Sequence, residues 1–144
     1  MQRFSSGAFN AISAFTALAT SGVMDQFASL RVGFIETGAS WVPYLHTDLV
    51  AKHLRLTSSP FDFKADVFRR NRFYVACQTT DDLPYILKFG LEDNLLVGTD
   101  YGHADQSAEL EALDTIEQRG ATGEIPSGVA RKILDDNPRR FYGL

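Results

Sequence analysis

Three short apolar runs constrain this 144-residue chain more than any other feature: RVGFIET at 31–37, FYVACQ at 73–78 and NLLVGT at 94–99. Each is too short for a stable helix and is rich in β-branched or aromatic residues, so each reads as a strand. In the first, Val32, Phe34 and Ile35 are the apolar members; the third is apolar almost throughout, as a strand covered on both faces requires. The segments between them carry helical spacing. Trp41, Leu45 and Leu49 fall on one face of a helix over 41–54, with Lys52 or His53 completing the stripe and Pro43 in the first turn. Asp81 or Asp82 caps a short helix through Leu83, Ile86 and Leu87 that ends at Gly90. An acidic amphipathic helix is expected over 107–118, and a last one over 126–136 that Asn137-Pro138 stops. Ser58–Asp62 reads as a loop. Alternation of this kind is the pattern of βα units around a parallel sheet, an α/β fold with about three parallel strands and covering helices.

The first twenty residues admit two readings. Arg3 ahead of an apolar stretch faintly resembles a leader peptide, but Asn10, Ser13 and Thr16 interrupt it. Ala8, Ile12, Phe15 and Ala19, flanked by Ala11 and Leu18, recur at helical spacing instead, and predict an amphipathic helix laid on a core. Composition narrows the function classes. Hydrophobic residues at 44% and charged residues at 22% suit a globular domain rather than a disordered tail or fibre. A net charge of −4 argues against a nucleic-acid partner. No apolar run approaches the ~18 residues that cross a bilayer, and a single cysteine, Cys77, cannot form an internal disulfide. A cytoplasmic chain acting on a small molecule is the expectation.

In parallel α/β folds, ligands bind at the carboxyl ends of the strands. Glu36, Thr37 and Gly38 follow the first strand. Gln78 to Asp81 follow the second, and Thr99 to His103 follow the third. Asp100, in GTDYGHAD, is a candidate metal ligand or general base, or else caps the turn through its side chain. His103 could orient a substrate or move a proton, or sit in a loop. Glu36 could do acid–base work, or pair with an arginine such as Arg72. His46 and His53, seven apart on the second helix, lack the three- or four-residue spacing of helical metal ligands and read as packing or surface residues. Cys77 reads as a small buried side chain and Trp41 as a packing anchor. No glycine-rich phosphate fingerprint is present.

Taken in order, LRVGFIETGASWVPYLHTDL, FYVACQTTDD, NLLVGTDYGHAD and VARKILDDNPRRFYGL resemble the C-terminal half of the amidohydrolase-related proteins. These are metal-dependent (β/α)8 barrels, also called amidohydrolase family 2, which include aminocarboxymuconate-semialdehyde decarboxylase and the resorcylate-type decarboxylases. The resemblance makes the strands the sixth, seventh and eighth of a TIM barrel and residues 1–144 a partial barrel domain with its N-terminal half absent. It implies that Asp100 is the metal-ligating or proton-handling aspartate of strand eight, with His103 at a position that often follows it. It implies a divalent metal, zinc by preference, and a hydrolase or non-oxidative decarboxylase acting on a small carboxylic acid or amide-type substrate. Two departures stand out. Glu36 falls where many relatives carry a histidine, and the His-x-His or Glu-x-His of strand one and the histidine of strand five have no counterpart. Catalytic zinc takes three protein ligands, so the chain looks like a fragment whose site is incomplete and which is inactive by itself. A non-catalytic half-barrel that self-associates, or an unrelated α/β binding module, are the alternatives. The inner faces of Val32, Phe34, Val75 and Leu96 are expected to lack covering layers, and both edge strands to lack partners. The isolated chain is therefore predicted to be poorly soluble or oligomeric; sedimentation velocity showing a monodisperse monomer with cooperative melting would contradict this.

Overall fold

A computed structural model describes residues 7–55, 67–103 and 108–144, the side chains of 50–55 excepted. The loop expected at Ser58–Asp62 and the start of the acidic helix at Ser107 lie outside the described residues. The described residues begin with α1 (Gly7–Thr20) and α2 (Val23–Gln26), and then form β1 (Val32–Phe34). It continues through α3 (Val42–Arg55), α4 (Val67–Arg70), β2 (Phe73–Cys77), α5 (Leu83–Ile86) and β3 (Leu95–Val97). A helical run closes it: α6 (Ala112–Ala121), α7 (Ser127–Arg131), a π-helical stretch over Lys132–Asp136, and α8 (Asn137–Tyr142). The three strands lie in the order β1-β2-β3, both pairs parallel, with Val32 opposite Phe73 and Val75 opposite Leu95. Right-handed crossovers place sequential parallel strands side by side, which is the expected arrangement.

The helix-side core gathers around Phe15 of α1. Its ring lies 4.9 Å from Phe68, 5.0 Å from Phe73, 5.7 Å from Phe34 and 6.0 Å from Trp41. Ala11 is buried beside it, and Ala8, Ile12, Leu18 and Ala19 pack against the same core, so the stripe of α1 is a packing face. Trp41 is buried and its Nε1 donates to the Gly38 carbonyl at 2.8 Å, the anchor that its sequence position suggested. Aromatic pairs at these separations add about 0.5–1.5 kcal/mol each beyond their burial.

Two expectations fail here. Val32, Phe34 and Val75 do not face an empty barrel interior. They point to the helices, with Phe34 and Val75 buried within the Phe15 cluster and Val32 packed against it, because strand alternation puts them on that face with Phe73 and Cys77. Tyr74, Ala76 and Leu96 occupy the opposite face, and they too are buried, each at 4% exposure. Part of their cover is the C-terminal helix, whose Phe141 ring packs tilted against Tyr74 with centroids 5.2 Å apart. Phe141 also lies over Gly33, where an added Cβ would sit 2.7 Å from the ring.

That helix reaches the sheet because Asn137-Pro138 does not stop it, the second expectation to fail. The N–H of Asn137 donates five residues back to the Lys132 carbonyl, widening one turn. The register shift brings Pro138 into the first turn of α8, where a missing N–H costs nothing. Asn137 is fully buried and its Nδ2 donates to the carbonyls of Glu92 at 3.0 Å and Leu95 at 2.8 Å, pinning α8 to β3. Gly33→Ala is predicted to destabilise the chain by about 1–3 kcal/mol through overpacking against Phe141. Adding Phe141→Leu should return part of that loss in urea unfolding, whereas additive losses would show that the two residues do not share a contact.

Candidate functional site

The carboxyl ends of the three strands form one rim, and a cleft of about 420 Å³ opens there between the residues that follow β1, β2 and β3. Glu36 stands two residues beyond β1, and Asp100 and His103 follow β3. Alternate strands in a sheet are roughly 9–10 Å apart. Yet one donor atom each from Glu36, Asp100 and His103 lies within 4.8 Å of the others, so the side chains converge above the end of β2. All three sequence candidates thus meet in one place.

Backbone conformation aims them. Glu36 has φ of 61° and Asp100 of 50°, both in the left-handed region, where a residue other than glycine costs about 1–3 kcal/mol. The Asp100 carboxylate lies 3.1 Å from His103 Nδ1, and the His103 N–H closes a turn onto the Asp100 carbonyl at 3.3 Å. The His103 side chain lines the cleft and is 57% exposed, while that of Asp100 is 22% exposed and half-sheltered. Two carboxylates and an imidazole are hard and borderline donors that suit a divalent cation. The residues therefore fit a divalent metal of the kind that the family resemblance implies, as one part of a site to which other strands of a barrel would contribute.

The remaining candidates take quieter places. Arg72 does not pair with Glu36; its guanidinium donates to the carbonyls of Leu30, Met24, Phe27 and Arg70 below the opposite end of the sheet. His46 packs its ring 5.2 Å from Phe89, and burial holds its pKa below the ordinary value. His53 lies on α3 where the backbone alone is described. Of the two aspartates read as alternative caps, Asp82 is the one that caps α5, accepting from the Tyr85 N–H at 3.0 Å. Asp81 is buried and does something else. Its Oδ2 accepts from the N–H groups of Ala39 and Gln78, both at 2.9 Å, and its Oδ1 accepts from the Ser40 hydroxyl.

Sequence reasoning missed Glu109. It lines the cleft, its Oε2 accepts from the Thr79 N–H at 3.3 Å, and its own N–H donates to the Thr99 carbonyl at 2.8 Å. It had been absorbed into the first turn of a helix that begins only at Ala112, and no local spacing distinguished it.

Residues 8–144, almost the whole of this chain, match the sequence pattern of the amidohydrolases. The chain belongs to the amidohydrolase family. An amidohydrolase of known crystal structure from Mycobacterium avium subsp. paratuberculosis is similar over 93% of this chain, with a TM-score of 0.73 and 20% identity. At that identity the likeness speaks for the fold, and the fold is part of an amidohydrolase TIM barrel. This amidohydrolase chain spans 33% of the length of that protein. No curated protein sequence matches it. Among the described residues no helix is long and apolar enough to cross a membrane.

Cys77, at the end of β2, also borders the cleft, but its side chain is only 1% exposed. Burial, reinforced by the Asp81 charge, pushes its thiol from an ordinary 9.0 up to about 12. The unfolded thiol ionises near 9, so the stability this residue contributes is intact below that pH and is lost as pH rises toward 12. The melting temperature is predicted to fall more steeply above pH 9 than that of Cys77→Ala. Iodoacetamide should label Cys77 only as the chain unfolds; labelling at the rate of a free peptide thiol would overturn this.

Proposed function

We propose that this chain forms part of a metal-dependent hydrolytic site in which Asp100, His103 and Glu36 hold a divalent cation, zinc by assignment. The observation that carries the reading is the convergence of their donor atoms within 4.8 Å at the carboxyl-end rim. When bound, the cation supplies Lewis acidity toward a water molecule and a substrate carbonyl. Asp100 contributes the charge at the most sheltered of the three positions. His103 would give one ring nitrogen to the cation and keep its other N–H as a hydrogen-bond donor to Asp100 or to a group bound in the cleft. Glu36 closes the group from the β1 side and can accept a proton, though unlike the histidine common there in relatives it cannot donate a neutral N–H near pH 7.

The lining of the cleft bears on the substrate. Glu36, Asp100 and Glu109 are acidic, and no lysine or arginine stands with them among its described residues. A dication would offset the charges of Glu36 and Asp100 and leave that of Glu109. We favour hydrolysis of a small amide-type substrate, the reaction that the family's name carries, over decarboxylation of a carboxylic acid. A second reading follows from the 3.1 Å Asp100–His103 contact: the pair is a dyad in which Asp100 orients the imidazole as a general base. Activity of the whole protein further requires the strands that flank β1 and β3 in a closed barrel, from the same polypeptide or from an associated one.

Asp100→Asn separates the readings in the longest polypeptide that contains this chain. Loss of an outer partner of a metal ligand costs ~10–100-fold in affinity, so loss of Asp100 as a ligand is expected to cost at least ~100-fold in zinc affinity and to abolish amide turnover, with the melting temperature unchanged. A turn-capping role predicts that zinc affinity and turnover survive, because Asn caps as well as Asp. Near-normal turnover at full metal occupancy would remove Asp100 from the site.

A further inference from the structure

Glu36 and Asp100 belong to loops that leave opposite edges of the sheet, so something must fix one loop against the other for their carboxylates to meet. The buried Asp81 occupies that position. Its carboxylate accepts from the backbone N–H of Ala39 and the hydroxyl of Ser40, on the loop that carries Glu36, and from the N–H of Gln78 in its own turn after β2. Gly38 rests on the same carboxylate. A Cβ there would lie 3.5 Å and 3.6 Å from its two oxygens, and φ of 60° places the residue in the left-handed region that glycine adopts freely. Asp81 thereby clamps the chain two to four residues beyond Glu36.

The turn that holds Asp81 is tied equally to the third loop. Arg119 of α6 donates to the carbonyls of both Thr79 and Asp81 at 3.1 Å. The Thr79 N–H donates to Glu109, whose own N–H donates to the carbonyl of Thr99, the neighbour of Asp100. A continuous chain of hydrogen bonds therefore runs from the Glu36 loop through Asp81 to the Asp100 loop.

We propose that Asp81 is a positioning residue for the metal site, setting the separation of Glu36 from Asp100 through its hold on Ala39 and Ser40. This rests on the metal-site reading above. Asp81 touches neither a metal nor a substrate; its effect passes through Glu36. What it supplies is acceptor geometry rather than charge. An Asn at this position can keep its oxygen toward the two N–H groups and turn its amide to the Ser40 oxygen. An Ala leaves all three donors without their acceptor.

The test titrates the whole chain with Co²⁺, reading affinity and the visible absorption of the bound ion, for the wild type, Asp81→Ala, Asp81→Asn, Ser40→Ala, Glu36→Gln and Asp100→Asn. Asp81→Ala is expected to bind Co²⁺ ~10-fold more weakly with an altered absorption spectrum, and Asp81→Asn to restore both. Placed in the Glu36→Gln background, Asp81→Ala should cost nothing further, since the residue it positions is already gone. If Asp81→Ala does not fold, Ser40→Ala, which removes one of the three donors, carries the test. It should weaken Co²⁺ binding in the same direction by a smaller factor, and only when Glu36 is present.

Equal losses in both backgrounds, or a lower melting temperature with affinity and spectrum unchanged, would overturn the positioning role. So would an Asp81→Asn variant that regains stability without affinity, since charge would then be the agent. The outcome also separates this proposal from the reading beneath it. Dependence on Asp100 and Glu36 with indifference to Asp81 and Ser40 removes the positioning role alone. Wild-type binding by Asp100→Asn removes the metal site with it.

Discussion

Every residue of β2 from Phe73 to Cys77 is buried, and that requirement organises the molecule. A strand in the middle of a parallel sheet must hide both faces. On one side Phe73, Val75 and Cys77 meet the helix layer centred on Phe15. On the other, Tyr74 and Ala76 need cover that a helix on the outside of the sheet cannot give. Phe141 supplies part of it from the end of the chain, and it reaches Tyr74 because Asn137 anchors α8 to β3 and the π turn carries the helix through Pro138. The π-helical stretch is therefore the device that turns the last helix onto the sheet, in keeping with the tendency of such turns to mark functional or geometric adjustments.

The same strand governs the rim. The turn after β2 lies between the two loops that carry the candidate ligands, and it is held to both by buried or half-buried hydrogen bonds: Asp81 to Ala39 on one side, Thr79 to Glu109 on the other. Buried polar groups must find partners, so the desolvation of Asp81 and the shape of the site are one problem with one solution. The left-handed conformations of Glu36 and Asp100 store strain that this fixed surrounding sustains. The chain belongs to the amidohydrolase family, and its rim carries a convergent set of two carboxylates and an imidazole.

Much of this was legible residue by residue. The apolar runs located all three strands, somewhat too long at their ends because edge pairing stops short: β1 has three residues where the pattern suggested 31–37. The stripe of α1, the packing role of Trp41 and the inert burial of Cys77 followed from type and spacing. Direction along a strand was harder. Val32, Phe34 and Val75 were assigned to the wrong face because alternation fixes which residues share a face but not which face meets the helices. Pro138 was read as a stop because the rule assumes a regular α-helix, and a single widened turn evades it.

What the sequence by itself determined is the order of elements, their parallel pairing and the polar residues at each strand's end, since these depend on local periodicity and on the handedness of crossovers. The tertiary structure alone decided that Glu36, Asp100 and His103 meet, that Glu109 joins their cleft, and that of two adjacent aspartates Asp82 caps a helix while Asp81 is buried between loops. The physical reason is distance along the chain. Glu36 and Asp100 are brought together by parallel pairing through β2 and by hydrogen bonds between segments some forty residues apart, and no local pattern encodes contacts of that range.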